Sequence, residues 1–469
     1  MTDGLHDPQS IHRLAKLMLD RGDVMSVRDA EARLQALRVQ FKIGAADALA
    51  YEHQATLLTA VALARRVFLG GVFLTGAVDV PLVVPFAIGK TLREAAYELG
   101  AVIGVAEDVV PLVFIGGSTR PQSNHFAIRT ACAGWRGGIF PAHSTTALNE
   151  TPAMPLAAAL AAALAAALAV NEAFLAVSGD APSAGKGAIG LSLWTPGSDD
   201  WLHDDGAPEL AYLPSKLWLI GLGHLGQAYL WNLGLLPYQD ASRLELMLQD
   251  FDRTSASTWT TSILTAPPDE EKPSVVGIRK ARLMASWAER RGFITAICER
   301  RFNTQVQRED HEPSIALCGV DNVAARRALD RVGFEFVVSV GLGNGHSDFR
   351  TLRIHTLPAE REAEEIWPDV ISATTAQDNP AYEPMVAAGT IDRCGAALLA
   401  GVAVGAPFVG VVAATLAISE VLRLLHGGVV NRLIDLDLAS LEHKIVLPQR
   451  HSLTQMNPGF VACGQQSVA

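Results

Sequence analysis

KLWLIGLGHLGQAYLWNLGLLPYQDASRLELMLQDFD, residues 216–252, decides the fold class. Residues 217–220 form a short apolar run that reads as a buried strand. Gly221, Gly223 and Gly226 follow in G-x-G-x-x-G spacing. Residues 227–233 then read as a helix, and 244–249 as a second strand that ends at Asp250 and Asp252. Strand, glycine turn, helix, strand and acid is the order of a nucleotide-binding βαβ unit. The first glycine permits the tight turn, the second lets a phosphate approach the backbone, and the third lets the helix pack on the strand. The helix N-terminus offers free N–H groups to an anion. An acid at the tip of the second strand can accept hydrogen bonds from ribose hydroxyls. On its own this motif serves NAD, FAD and ATP alike.

The chain around it has 469 residues, enough for two or three domains. Hydrophobic residues make up 49% and charged residues 19%, a globular balance with ample core material. The formal net charge is −11 and no basic stripe is present, so no nucleic-acid partner is expected. Five cysteines lie far apart with no C-x-x-C pair, which argues against a disulfide framework or a four-cysteine zinc site and suits a reducing cytoplasm. Residues 1–25 are polar and charged, unlike a signal peptide. Residues 153–177 are long enough to span a bilayer. They are mostly alanine and carry Asn171 and Glu172, so a buried packed helix is expected and no membrane partner.

Residues 8–40 read as two amphipathic helices, with Leu14, Leu17, Leu34 and Leu37 at helical spacings. A helix is expected over 45–65, strands at 67–74 and 82–86, and a helix over 88–99. Further strands follow at 112–116, 126–130 and 188–194, with the alanine-rich helix before the last of them. The Pro/Gly/Asp-rich stretch 196–209 reads as a linker. Beyond 252, a helix runs from about 277 to 289, with strands at 295–300, 314–320 and 334–340 and a helix over 323–332. Residues 357–393 form an acidic excursion. A helix over 406–426 and a hairpin, 432–438 with 444–447, close the pattern.

An internal repeat runs through these elements. LAVNE (168–172) and LAISE (416–420) each end a half, followed by an apolar turn and Gly179 or Gly427. ARRVFLG (64–70) lines up with KLWLIG (216–221). The first copy lacks the glycine fingerprint and the acidic strand ends, so it should hold no nucleotide.

The chemistry gathers in the second copy. Lys280 lies in GIRK (277–280), and Asp321 and Asn322 end the next core strand, with Arg326 a helical turn on. Strand C-terminal ends share one edge of a parallel sheet, so Asp250, Asp321 and the glycine loop should face one pocket. A ribose acid, a phosphate lysine and a metal-binding acid are the parts needed for a carboxylate to attack the α-phosphate of ATP. Hydride transfer needs no such set.

These four motifs resemble the ThiF/MoeB/HesA adenylyltransferases and the ubiquitin-activating enzymes. That family shares G-x-G-G-x-G, D-x-D-x-V-x-x-S-N-L-x-R-Q, G-x-x-K and T-D-N-x-x-x-R. The chain has GLGHLG, DFDRTSASTWTTS, GIRK and VDNVAAR in the same order, over roughly residues 211–445. The repeat is similar to activating enzymes that pair an inactive adenylation half with an active one. The chain is most like the fused pairs of bacterial ubiquitin-like conjugation operons, a resemblance that implies a part in antiviral defence.

The resemblance implies an α/β fold of two tandem Rossmann-like, ThiF-type adenylation domains, the first degenerate, preceded by N-terminal helices. The expected division is 1–44 helical, 45–195 inactive half, 196–210 linker and 211–356 ATP-binding part. A cysteine-bearing crossover (357–395), a closing helix with the C-terminal strands (396–450) and a tail (451–469) complete it. Gly221, Gly223 and Gly226 would bind ATP phosphates, Asp250 and Asp252 the ribose side, and Lys280 the phosphates. Asp321 would hold Mg²⁺, with Asn322 and Arg326 supporting that strand end within the nucleotide site. Cys394, in the interval where thioester-forming members carry their nucleophile, would attack the acyl-adenylate, and Arg393 beside it would favour the thiolate. The implied substrate is the C-terminus of a ubiquitin-like protein, with a ubiquitin-conjugating-like enzyme as a second partner.

Two departures keep alternatives open. The family's asparagine and phosphate-binding arginine are Thr258 and Thr261 here, with Arg279, Arg300 or Arg301 as replacements. A nucleotide-dead scaffold is therefore one alternative. Adenylation of a peptide or sulfur carrier without a thioester is another, although the zinc-binding C-x-x-C pairs of the sulfur-carrier enzymes are missing.

Overall fold

The computed structural model describes residues 10–117, 125–148, 155–203, 206–269, 273–368, 379–389, 391–449 and 459–463, with the side chains of 155–157 and 394 outside that set. Two helices, α1 (Arg13–Asp20) and α2 (Val27–Ala36), come first. His12 and Ser26 cap them, each side chain accepting a backbone N–H of the first turn.

The first half then runs β1 (Arg38–Ile43), α3 (Tyr51–Ala64), β2 (Gly71–Gly76), α4 (Leu92–Glu98), β3 (Ala101–Ile103), β4 (Leu112–Ile115), β5 (Ala127–Ala133), β6 (Arg136–Pro141), α5 (Pro155–Ser178) and β7 (Ile189–Ser192). The second half runs β8 (Tyr212–Pro214), β9 (Lys216–Ile220), α6 (His224–Leu235), β10 (Glu245–Gln249), α7 (Lys280–Arg290), β11 (Ile294–Cys298), β12 (Ile315–Cys318), α8 (Val323–Arg327), β13 (Phe336–Leu342) and β14 (Thr351–Leu357). It continues with α9 (Ala363–Ile366), α10 (Glu383–Ala387), α11 (Arg393–Ala400), α12 (Pro407–Leu425), β15 (Asn431–Asp437), β16 (Lys444–Pro448) and β17 (Phe460–Ala462).

Among the described residues the strand orders are β3-β2-β1-β4-β5-β6-β7 and β11-β10-β9-β12-β13-β14-β15-β16, with β17 and β8 as a separate ribbon. In each large sheet the first strand is central. The second and third strands lie on one side, the fourth and fifth on the other, and all five are parallel. Antiparallel strands extend each sheet. This doubly wound strand order repeats strand by strand over seven strands, and β16 extends the second sheet by one. Central parallel strands are covered on both faces, which is why Leu217, Trp218, Leu219 and Ile220 are all buried.

The two halves share one core. Helices α3, α5, α6 and α12 pack against one another. Leu57, Leu164, Leu230 and Val412, one from each, belong to a single buried cluster. Phe174 on α5 meets Phe408 on α12 at 6.1 Å between rings, and Trp231 Nε1 on α6 donates to Thr59 Oγ1 on α3 at 2.9 Å. Residues 158–178 of α5 and all of α12 are long and apolar enough to cross a membrane, yet 89% of each apolar stretch is buried inside the fold. Helix α5 lies directly on its sheet, because a Cβ on Gly137 of β6 would sit 2.2 Å from the Ala161 carbonyl oxygen.

Several expectations need correction. The stretch read as the end of a second helix contains β1, the central strand of the first sheet. Val39, Phe41 and Ile43 point into the core at period two, and pairing on both edges overrides the local helical spacing. The counterpart of residues 216–221 is therefore β1 with Gly44, not residues 64–70, which form the turn between α3 and β2. Residues 82–86 form no strand; Pro81 and Pro85 interrupt them, and only an isolated bridge joins Pro81 to Thr91. The helix expected over 323–332 stops at Arg327. Within the stretch read as a linker, Trp201, Ala207 and Leu210 are buried, and Trp201 fills the space above Gly138 and Gly190. Strands β3, β6 and β14 were not anticipated.

The paired closing motifs do sit in equivalent places. Glu172 on α5 accepts the Gly185 N–H ahead of β7, and Glu420 on α12 accepts the Asn431 N–H at the start of β15.

Candidate nucleotide-binding site

The strand ends of β9, β10 and β12 open onto a cleft of about 980 Å³, a normal size for a small-molecule site. Gly221 has φ +85°, and a Cβ there would press on Val320 and Gly319. A Cβ on Gly226 would lie 2.0 Å from the Gly221 carbonyl oxygen, so α6 packs tightly on the turn. A Cβ on Gly223 would meet nothing within 4 Å, so that glycine leaves the turn open toward the cleft. Helix α6 starts from Gly223 without a side-chain cap, so its first N–H groups are available to an anion. His224 stands where the family has a glycine. Its ring fills the space beside Gly405 and Gly410, and burial lowers it to about 4, so it is neutral.

Asp250, Asp252, Lys280, Asp321, Asn322 and Arg326 all line this cleft together with Gly221 and Gly223. Asp250 is buried; its Oδ2 accepts the Leu222 N–H and its Oδ1 the Asp252 N–H, both at 2.7 Å. This acid therefore braces the glycine turn. Burial pushes its carboxyl up, while the Lys280 charge and the two N–H groups oppose that shift. Lys280 opens α7, and its Nζ lies 3.2 Å from Asp252 Oδ2. Asp321 is exposed to the cleft beyond β12. Asn322 caps α8, its Oδ1 accepting from Ala324 and Ala325. Arg326 donates to the carbonyls of Val320 and Val340 and thereby fixes the end of β12. Asn322 and Arg326 thus hold backbone. Among the described residues no three His, Cys, Asp or Glu cluster as a metal site. A magnesium ion here would rest on Asp321 and on phosphate oxygens, a normal arrangement for that cation.

Thr258 and Thr261 also face the cleft, within a hydroxyl-rich wall that includes Ser255, Ser257 and Ser262. Of the three arginines expected to replace the missing one, Arg300 and Arg301 line the cleft, and Arg301 lies over the Phe251 ring at 4.4 Å. Arg279 instead donates to the Phe251 carbonyl. Sequence reasoning missed Arg13. It reaches the cleft from α1, and its buried Nη1 has no hydrogen-bond partner. Burial lowers its proton affinity. An orphaned guanidinium nitrogen beside an open glycine turn suits an anion. Helix α1 is anchored by the Lys16–Asp20 ion pair, which Tyr382 joins from the excursion, and by Arg21 on Asp180.

Cys394 is the second residue of α11, and its side chain lies outside the described residues. Asp392 caps this helix, accepting the Gly395 N–H at 2.6 Å, and Arg393 lies 3.6 Å from Glu383. The far end of α11 leads into Gly401, Ala403, Val404 and Gly405, which wall the cleft. The other cysteines lie elsewhere: Cys318 is buried in β12, and Cys132, Cys298 and Cys463 are half-buried.

Two family models match the chain: the BilD N-terminal domain over residues 38–193 and the BilD C-terminal domain over residues 213–428. A bacterial E1-like protein BilD from Collimonas sp. (strain OK412) is 43% identical over 426 residues, covering 90% of each chain. Among solved structures, TcdA (CsdL) covers 45% of this chain and 86% of its own at 16% identity and a TM-score of 0.29, too slight a likeness to bear on the fold. The N-terminal match spans the first sheet and the C-terminal match the second sheet up to α12, and the chain belongs to the BilD family of bacterial E1-like proteins.

Proposed function

We propose that this chain is an ATP-dependent activating enzyme for a small ubiquitin-like protein. The observation that carries the reading is the meeting of the open glycine turn, Lys280, Asp321 and Arg13, whose Nη1 has no hydrogen-bond partner, in one cleft. A C-terminal carboxylate of the substrate attacks the α-phosphorus of ATP. A P–O bond forms to the carboxylate, the bond to the β-phosphate breaks, and pyrophosphate leaves. The glycine turn and the α6 N-terminus cradle the phosphates. Lys280 and Arg13 offset their charge, and Arg13 takes the place of the arginine lost at Thr261. Asp252 orients Lys280, and Asp250 keeps the turn in shape. Magnesium held by Asp321 supplies Lewis-acid stabilisation when bound.

The second step is transfer to Cys394: its thiolate attacks the acyl carbon, a C–S bond forms, and AMP leaves. Cys394 lies about 10 Å along the helix from Gly401 at 1.5 Å per residue, so in this reading a movement of α11 would bring the sulfur to the adenylate. That separation also favours the alternative in which the adenylate is released without a thioester.

ATP–pyrophosphate exchange with ubiquitin-like proteins tests the first step. Exchange that depends on such a protein supports the reading, and its absence with every carrier favours a scaffold. A Cys394→Ala variant tests the second step: exchange persists and a thiol-labile conjugate disappears. An unchanged conjugate would assign the chemistry elsewhere.

A further inference from the structure

We propose that Arg66, a residue of the first half, is a positioning residue that sets the phosphate-side wall of the second half's cleft. This rests on the adenylation reading above. Arg66 lies on the turn after α3 and is 4% exposed. Its Nε donates to the carbonyls of Trp259 at 2.9 Å and Ser262 at 3.2 Å, and its Nη2 to those of Ile263 at 2.8 Å and Thr265 at 2.7 Å. Its Nη1 donates to the Ala62 carbonyl of its own helix. Four acceptors in one short segment of the other half thus converge on a single guanidinium.

That segment has little else to hold it. Among the described residues between Asp250 and α7 the chain makes one short 3₁₀ turn, Thr258–Thr260, and joins no sheet ladder beyond an isolated bridge of Arg253 with Arg279. Buried carbonyls without partners are costly, so a donor must be supplied from outside. Arginine offers five N–H donors in a fixed plane, whereas lysine offers three on a mobile stem. From the opposite side, Gln227 in the first turn of α6 accepts the Leu264 N–H at 3.0 Å and donates to Thr265 Oγ1 at 2.9 Å. The ring of His12, next to Arg13, meets Trp259 edge-on at 5.1 Å. The segment is therefore clamped between the first half, α1 and the helix that starts at the glycine turn. Its free side presents Ser257, Thr258, Thr261 and Ser262 to the cleft. Those hydroxyls occupy the stretch where the resemblance places phosphate-binding residues, so their placement depends on a cation from the domain that has no such cleft chemistry of its own.

The test compares Arg66→Met, Arg66→Lys and Arg66→Ala with Phe174→Leu, a core change between α5 and α12 that does not touch the segment. Three readouts separate positioning from bulk stability: thermal midpoint, ATP dissociation constant, and amide hydrogen exchange across residues 254–265. Arg66→Met should weaken ATP binding by about 10²-fold, the size expected for a small misplacement of binding groups. It should also lose exchange protection in that segment, with Arg66→Lys falling between it and wild type. Guanidinium added to Arg66→Ala should restore binding where ammonium does not. Phe174→Leu should lower the midpoint and leave the ATP constant unchanged. The proposal is overturned if Arg66→Lys and Arg66→Met lower the midpoint while ATP binding and segment protection stay at wild-type levels. Should wild type bind no ATP, the adenylation reading fails, and hydrogen exchange still decides whether Arg66 orders the segment.

Discussion

The two halves have the same strand order and differ where their central strands end. In the second half, β9 runs into Gly221, Gly223 and Gly226, β10 into Asp250 and β12 into Asp321, with Lys280 opening α7. In the first half, β1 runs into Gly44, and Asp47 follows with its carboxylate against Gly116 at the end of β4. A Cβ on Gly116 would lie 2.3 Å from Asp47 Oδ1. His53 faces the same acid at 3.3 Å. Leu92 opens α4 where Lys280 opens α7 in the other half. A carboxylate thus stands beside the strand ends of the first half, and in the proposed reading it would repel a phosphate there. The frame needs only its buried residues to persist, whereas the site needs particular groups at a few strand tips. The frame has been kept twice and the tips once. The first half instead contributes support: half of the shared core, and Arg66.

That contrast can be broken at its sharpest point first. Asp321→Ala should cut ATP–pyrophosphate exchange about 10³-fold, as expected for loss of a charge-stabilising group, while Asp47→Asn should change it less than about 2-fold, the ordinary outcome for a group outside the site. A similar loss from both would mean that the halves do not differ as described. The common core comes next: Leu164→Ala in α5 should cost about 3 kcal/mol and lower one cooperative transition in calorimetry. Two separate transitions would show halves that fold apart. Lys280→Ala should reduce kcat/KM for ATP about 10²-fold. Arg13→Gln should raise the ATP KM about 10-fold, the worth of one charge-assisted contact. Adding Thr261→Arg to that variant should recover part of the loss, and no recovery would separate the two positions functionally.

A pH slope tests the buried histidines. Burial holds His12 at about 3 and His224 and His355 at about 4, against an ordinary value of 6.5. Between those values the unfolded chain binds protons that the folded chain refuses, so stability falls as pH drops from about 6.5 toward 4. Above 6.5 the contribution is fully present. Chemical denaturation across that window should show a shallower slope for His224→Gln; an unchanged slope would mean that His224 is charged in the fold.

The second half was the more legible because its chemistry sits at strand tips as distinct residue types in fixed order: three glycines, two acids, a lysine, an acid. Hydrophobic runs such as 217–220 and 315–318 are buried on both faces and stand out in one dimension. The first half hid its central strand. RVQFKI alternates over only six residues and follows a helix directly, so the helical spacing spilled into it. Strand β3 has three residues, and β6 begins RGG, whose glycines serve close packing rather than strand propensity. Shifting the repeat by one element followed from missing β1. Arg13 and Arg66 carry no local signature, since one reaches the cleft and the other its wall across more than a hundred residues of chain. Only tertiary packing shows either.

The four-helix layer between the sheets also sets a schedule for synthesis. Helix α5 ends at Ser178, and its partner α12 is complete only at Leu425. At roughly 5–20 residues per second, a ribosome needs on the order of 10–50 s to cross that interval. Through that time the face of α5 that meets α12 lacks its partner, although α3 and the first sheet already cover the rest of the helix. A chaperone that shields apolar helices should therefore govern the yield of this protein, and codon choice between those two points should matter more than codon choice anywhere else in its gene.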